Sequence, residues 1–369
     1  MQQATPPISV EIVDLPPLAE LEPEWRDLQR RTPHSFFNSW AWIGSWLESL
    51  PPRVRPRLIR ARAHGRVVAL ATLCERVVTR GGVVRSRTLS LNSTADPRLD
   101  ELTIEHNGLL CERGIELRVF DSFLKILLES DSWDEIRIDG LDQIALLDAV
   151  PMGSLKPIVD LRPEYFVDLD AVRSSGKGYL DALPPKIRSQ LRHSLRDCPG
   201  NLVFETASTV SRAQAFMRDL KRLHTQSWEA KNGTGAFANE YFDKFHEDLI
   251  VKRFGEGVVE VSRLSVSDRP VGYVYNFLYH GIVYAYQSGF DLNFDKRSSW
   301  RPGLLSHMFA IEAGLARGHR VYSFLAGESR YKRHMSRAAG RMAWVVLQRP
   351  RLKFRLETML RHARDRLKK

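Results

Sequence analysis

Residues 282–327 read IVYAYQSGFDLNFDKRSSWRPGLLSHMFAIEAGLARGHRVYSFLAG. The first nine alternate in the manner of a strand, with Val and Tyr at a period of two. A loop follows that carries Lys296, Arg297 and Arg301 beside Ser298 and Ser299. Pro302 suits a first helical turn, where its missing N–H is not needed, so a helix is expected from there, followed by a short strand, HRVYSFLAG. The helix dipole already makes that end positive, and the arginines are unfavourable there unless an anion is bound. Unpaired N–H groups at a helix start, with Gly303 allowing close approach, would hold such an anion. The competing reading is a helix capped by Ser298 or Ser299 on an exposed basic loop.

Working outward, the strand-like runs VVEVSRLSV and VGYVYNFLYH and the helix YFDKFHEDLIVKRF precede this stretch. The same order occurs earlier in the chain. FFNSWAWIGSWLES is a helix, RPRLIRARA, VVALATLCERVVT and VVRSRTLSL are strands, RGIELRVFDSFLKILLES is a helix and DEIRIDGL a strand. The expectation is an α/β protein with α+β mixed sheets: two tandem units, each a mostly antiparallel sheet with flanking helices. The units are placed at 1–160 and 161–348, with a basic helix at 349–369. The loop before the late helix of the first unit, NSTADPRLDELTIEHNG, is acidic. An anion at a helix start is therefore expected in the second unit.

The chain of 369 residues is 43% hydrophobic and 27% charged, as an ordinary globular protein is. Its net charge of +11 is unevenly placed: residues 349–369 hold nine Lys/Arg and two acids, which is +7. There Leu352, Leu356, Met359, Leu360, Ala363 and Leu367 recur at helical spacing. That helix docks on the protein's own body, on an anionic membrane surface or on an RNA backbone. The three cysteines, Cys74, Cys111 and Cys198, form no CxxC pair, so neither a disulfide framework nor a metal site is expected. No apolar run is long enough to span a bilayer, and the start lacks a signal-peptide pattern. A cytoplasmic location is expected, peripheral at the inner membrane face if the tail binds lipid.

The succession YQSGFD, then PG opening a helix, then FLAGESRYK resembles the acyl-CoA-binding core of the GNAT acyltransferases, and more specifically their BioF2-like, CelD-like branch. That branch is related to the Fem aminoacyl transferases, which also contain tandem GNAT-like units. The resemblance is strongest from Leu180 to Lys332, and it implies direct acyl transfer from acetyl-CoA or another acyl-CoA to an amine. Tyr331 would protonate the departing thiolate. Asp291 or Glu328 would take the proton of the amine, directly or through water. Backbone N–H groups near Ser288 and Gly289 would hold the oxyanion. Arg297, Arg301, Gly303 and Lys332 would bind the cofactor, and Trp228, Tyr286, Gln287 and Arg188 the substrate. Each has a plainer alternative: Tyr286 as core, Asp291 as a turn cap, Trp228 as the anchor of a helix end. Two positions depart from the family pattern. Ser323 stands where an acid usually precedes Phe-Leu, and Ser329 follows Gly-Glu. The implied acceptor is a small amine or amino sugar, in exopolysaccharide or envelope synthesis. An aminoacyl-tRNA-dependent transferase and a non-catalytic scaffold are the alternatives.

Overall fold

The computed structural model describes residues 7–367 apart from 296, 298 and 337; side chains are described except at 338, 339 and 360–367. Lys296 and Ser298 of the basic loop thus lie outside the described residues. The chain divides into two compact units, one of residues 1–161 with 342–369, the other of residues 162–341.

The first unit contains β1 (Ile8–Asp14), α1 (Leu18–Arg31), α2 (Trp40–Ser49), β2 (Arg57–Ala63), β3 (Arg66–Arg80), β4 (Val84–Leu91), β5 (Leu110–Cys111), α3 (Glu116–Leu128) and β6 (Glu135–Leu141). Strands β1 to β4 pair antiparallel in succession, and β6 runs parallel to β4 over Thr88–Ser90. Helix α3 is amphipathic. It buries Val119, Phe120, Phe123, Leu124 and Leu127 in a core shared with Ile59, Leu73, Leu89 and Ile136.

The chain enters the second unit within β7 (Lys156–Asp168). There follow α4 (Leu169–Ser174), α5 (Tyr179–Ala182), α6 (Pro185–Arg196), β8 (Leu202–Thr206), α7 (Val210–Glu229), α8 (Glu240–Arg253), β9 (Val259–Val266), β10 (Arg269–Tyr279), β11 (Ile282–Phe290), α9 (Pro302–Ala316), β12 (Val321–Ala326) and α10 (Arg330–Met335). Strands β8 to β11 form an antiparallel meander, β12 pairs parallel with β11, and β7 pairs antiparallel with β12. Each unit thus has a meander, a helix and then a strand parallel to the last of the meander, which is the tandem order expected from sequence.

The chain returns within β13 (Ala338–Gln348), whose residues 343–348 pair with β6, and ends in α11 (Leu352–Leu367). Residues 342–348, grouped with the second unit on sequence, therefore belong to the first. Periodicity marks a strand but does not say which sheet edge it joins.

The tail helix also docks differently from a helix that buries its apolar stripe. Phe354 and Glu357 are buried, with Arg80 over the Phe354 ring at 5.5 Å and bonded to the Glu357 carboxylate at 3.0 Å. Leu352, Leu356 and Met359 stay 74%, 58% and 66% exposed. An ion pair and one phenylalanine, opposite the stripe, decide the orientation.

Candidate active site

Strands β11 and β12 are paired only at Ile282–Tyr284 and Val321–Ser323, and beyond Ser323 they part. One cause lies in β12: Leu325 has a left-handed φ of 62°, and the register with β7 shifts between Ser323 and Ala326. Leucine adopts that backbone at a cost, so the irregularity is held by its surroundings. The Leu325 N–H donates to Ser323 Oγ at 3.0 Å, and the Lys332 ammonium donates to the Ala326 carbonyl at 2.6 Å. In β11 an irregularity opposite Tyr275 and Asn276 makes Tyr286 the extra residue.

Parting strands leave backbone groups unpaired. The Asp291 N–H donates to the Val271 carbonyl of β10 at 2.9 Å. By the two-residue alternation of a strand, the N–H groups of Ser288 and Phe290 then point away from β10, into the gap. Gly289 turns its N–H the other way, and a Cβ there would lie 2.4 Å from the Leu220 carbonyl oxygen of α7. Gly289 is therefore a close-packing glycine rather than a donor in the gap. Gly289→Ala is expected to destabilise the protein by about 2–3 kcal/mol through overpacking against backbone, measured as a fall in the thermal midpoint.

Helix α9 begins beside the gap. Its N-cap, Arg301, makes no side-chain capping bond, and the N–H of Arg301 goes instead to Ser194 Oγ of α6 at 3.0 Å. Ser299 does not cap the helix; its hydroxyl helps hold the Asp197 carboxyl below the usual carboxylate range. The first turn of α9 thus keeps N–H groups available. They open onto a cavity of about 590 Å³ whose lining includes Ser288, Phe290, Arg297, Trp300, Arg301, Gly303, His307 and Tyr331. The indole N–H of Trp300, a residue only 6% exposed, has no partner among the described residues. A buried donor without a partner is costly unless a ligand accepts from it. Arg301 donates to the Trp300 carbonyl at 2.9 Å, and Arg297 chelates Asp295 at 2.8 and 3.0 Å, which raises the guanidinium pKa further. Gly303 packs under the Phe290 ring, 3.0 Å from where a Cβ would stand.

The corresponding place in the first unit is built differently. Gly114 N–H donates to the Glu116 carboxylate at 2.6 Å, so an acid already sits at the start of α3. The residues after β4 fold inward: Asn92, Ser93, Thr94 and Asp96 are buried, and Asn92 bonds to Thr72, Asn107 and Gly108.

Tyr331 stacks on His307, ring centroids 5.4 Å apart, and burial pushes its phenol up to about 12. It is protonated at neutral pH and able to donate. His307 is 3% exposed, bonded through Nδ1 to the Tyr322 hydroxyl at 3.0 Å, and pushed down to about 3 by burial and then by Lys332.

Other residues singled out on sequence lie elsewhere. Tyr286 packs on the α8 side, in a cluster with Phe242, His246 and Phe277. Trp228, at the end of α7, is 43% exposed and donates from its indole to His224 Nε2 at 3.0 Å. Arg188 donates to the Asp181 carbonyl at 2.9 Å and does not line the cavity. Asp291 closes a turn by accepting from Asn293 N–H and pairs with Arg269, both at 3.0 Å. Glu328 accepts from the Tyr165 hydroxyl at 2.9 Å and pairs with Arg333 at 3.0 Å. Gln287 lies on β11 opposite Tyr275. Among the described residues no cluster of His, Cys, Asp or Glu suits a metal.

One acid escaped sequence reading. Glu164 of β7 accepts a hydrogen bond from the Ser323 hydroxyl at 2.9 Å. Ser323 is the last residue of β12 paired with β11, so this carboxylate stands at the apex of the gap. It comes from a strand about 160 residues earlier, and no local motif marks it.

Residues 185–333 match the family model of the GNAT acetyltransferase domain. Among solved structures the chain is similar in fold to FemX, at 11% identity and TM-score 0.57, covering 92% of this chain and 98% of that one. It is similar also to a conserved protein of unknown function from Bacteroides thetaiotaomicron, at 10% identity and TM-score 0.56, covering 92% and 100%. No curated protein sequence matches. Residues 185–333 thus match a GNAT acetyltransferase domain, and the chain as a whole is similar in fold to FemX.

Proposed function

We propose that the protein transfers an acyl group from acyl-CoA to the amine of a small molecule. The observation that carries this reading is the uncapped start of α9, opening with Arg301 onto a cavity beside parted strands. Helix N–H groups and arginine suit a pyrophosphate. The apolar wall formed by Phe290, Leu292, Trp300 and Leu304 suits the pantetheine arm.

In the proposed reaction the neutral amine attacks the thioester carbonyl. The N–H groups of Ser288 and Phe290 hold the oxyanion. The carbon–sulfur bond then breaks, and Tyr331 gives its proton to the thiolate. Glu164, held by Ser323, takes the proton of the amine, directly or through water. The acceptor enters from the side of α7 and α8, where Trp228, Tyr286 and Gln287 lie. An amino sugar of an envelope polysaccharide is the acceptor class that fits the BioF2-like, CelD-like resemblance.

Calorimetric titration with acetyl-CoA and with CoA tests the reading. Micromolar one-to-one binding is expected, weakened about tenfold or more in Arg301→Glu by charge reversal at the phosphate site. Absence of CoA binding, together with salt-dependent binding of tRNA, would favour the aminoacyl-tRNA alternative.

A further inference from the structure

We propose that the first unit carries a docking surface for anionic lipid bilayers, built on α11. This does not rest on the acyltransferase reading, because none of its residues belongs to the cavity beside α9.

At about 100° per residue, Phe354 and Glu357 lie roughly 140–200° around the helix from Leu352. They are the buried, anchoring side. Leu352, Leu356 and Met359 fall within about 60° of one another on the far side, and all three are exposed. Ala363 and Leu367 continue the same line in sequence. A helix held to the protein by one face, with an apolar stripe on the other, presents that stripe to a partner.

Charge says which partner. Residues 349–369 carry +7. Arg355 is exposed beside the stripe and makes no ion pair among the described residues. Arg351 and Lys353 line a second cavity, of about 700 Å³, together with Arg85, Arg87 and the half-exposed Val77 of the β3–β4 hairpin. Asp131 and Asp134 also line it and pair with Arg351 and Lys353, leaving a net +2 among its charged side chains. Val83, at the turn of that hairpin, is 71% exposed. Apolar side chains flanked by arginine and lysine match the acyl–headgroup boundary of a bilayer containing acidic lipid. No helix among the described residues is long and apolar enough to cross a membrane, so the contact is peripheral.

The test is co-sedimentation of the full chain with phosphatidylcholine vesicles, with and without one-quarter phosphatidylglycerol. Binding is expected only with the acidic lipid, weaker but retained at physiological ionic strength. Leu352→Glu, Leu356→Glu and Met359→Glu together should cut the bound fraction about tenfold, and Arg355→Glu should weaken it by a smaller factor. The thermal midpoint of each variant should match the wild type, since these side chains are exposed. No pelleting with acidic vesicles at low salt would overturn the proposal. So would pelleting that the triple variant leaves unchanged, which would mean charge alone. Loss of a dimer in the triple variant, without lipid binding in the wild type, would assign the stripe to a second copy instead. CoA binding should be the same in all these proteins, so failure here leaves the enzymatic reading standing.

Discussion

Glu164→Gln is expected to lower kcat by about 10²–10⁴, the usual contribution of a positioned general base, while acetyl-CoA binds with unchanged affinity. Glutamine keeps the size and can still accept from the Ser323 hydroxyl, so the 2.9 Å contact survives and the fold with it. What is lost is the ability to take a proton. A second variant separates base from scaffold. Ser323→Asp in the Glu164→Gln background puts a carboxylate one side chain away, and partial recovery of kcat is expected. The measurement is steady-state kinetics with an amine found by screening, beside calorimetry with CoA. If Glu164→Gln keeps wild-type kcat across the pH range, Glu164 is structural. Asp291 and Glu328, each already engaged by an arginine, would then return as the bases to test.

Acid should unfold the second unit steeply. His224, His246 and His307 are 7%, 0% and 3% exposed. Burial pushes His224 down to about 4 and His307 to about 3, and sets His246 well below the ordinary value; nearby lysines add to each shift. In the unfolded chain all three titrate near 6.5. The folded-state values are depressed, so this stability is fully present above about pH 6.5 and is lost as pH falls toward the folded values. Over that window the unfolded state binds up to three more protons than the folded state, a slope of about 4 kcal/mol per pH unit at most. The thermal midpoint should change little from pH 8 to 7 and drop sharply between pH 6 and 5 (roughly the window set by the unfolded value). His307→Gln should remove about a third of the slope. A midpoint flat to pH 5 would show that these imidazoles are protonated in the folded protein.

The two cysteines closest to the first unit's sheet illustrate a different outcome. Cys74 and Cys111 are buried, and burial raises both thiols, Cys74 to about 12. A thiol so protonated is a poor nucleophile, and both cysteines serve as small core side chains.

Local pattern determined much of this protein. The period-two runs of β9 to β11, the Pro302 start of α9 and the repeated element order are properties of short segments. Sterics and hydrogen bonding act on such segments over a few residues, so these features were legible in the chain. Ser288, Arg297, Arg301, Gly303 and Tyr331, which line the cavity by α9, come from one stretch of 44 residues, so their nearness to one another follows from a short segment of chain. The tertiary structure decided what depends on partners distant in sequence. It set Glu164 against Ser323, turned Gly289 toward α7 rather than into the gap, and moved residues 342–348 to the first unit. It also held α11 by Phe354 and Arg80, with the leucines outward. In each case the deciding term is a contact between segments remote in the chain, and its energy depends on where two backbones come to lie. No spacing along one segment carries that information.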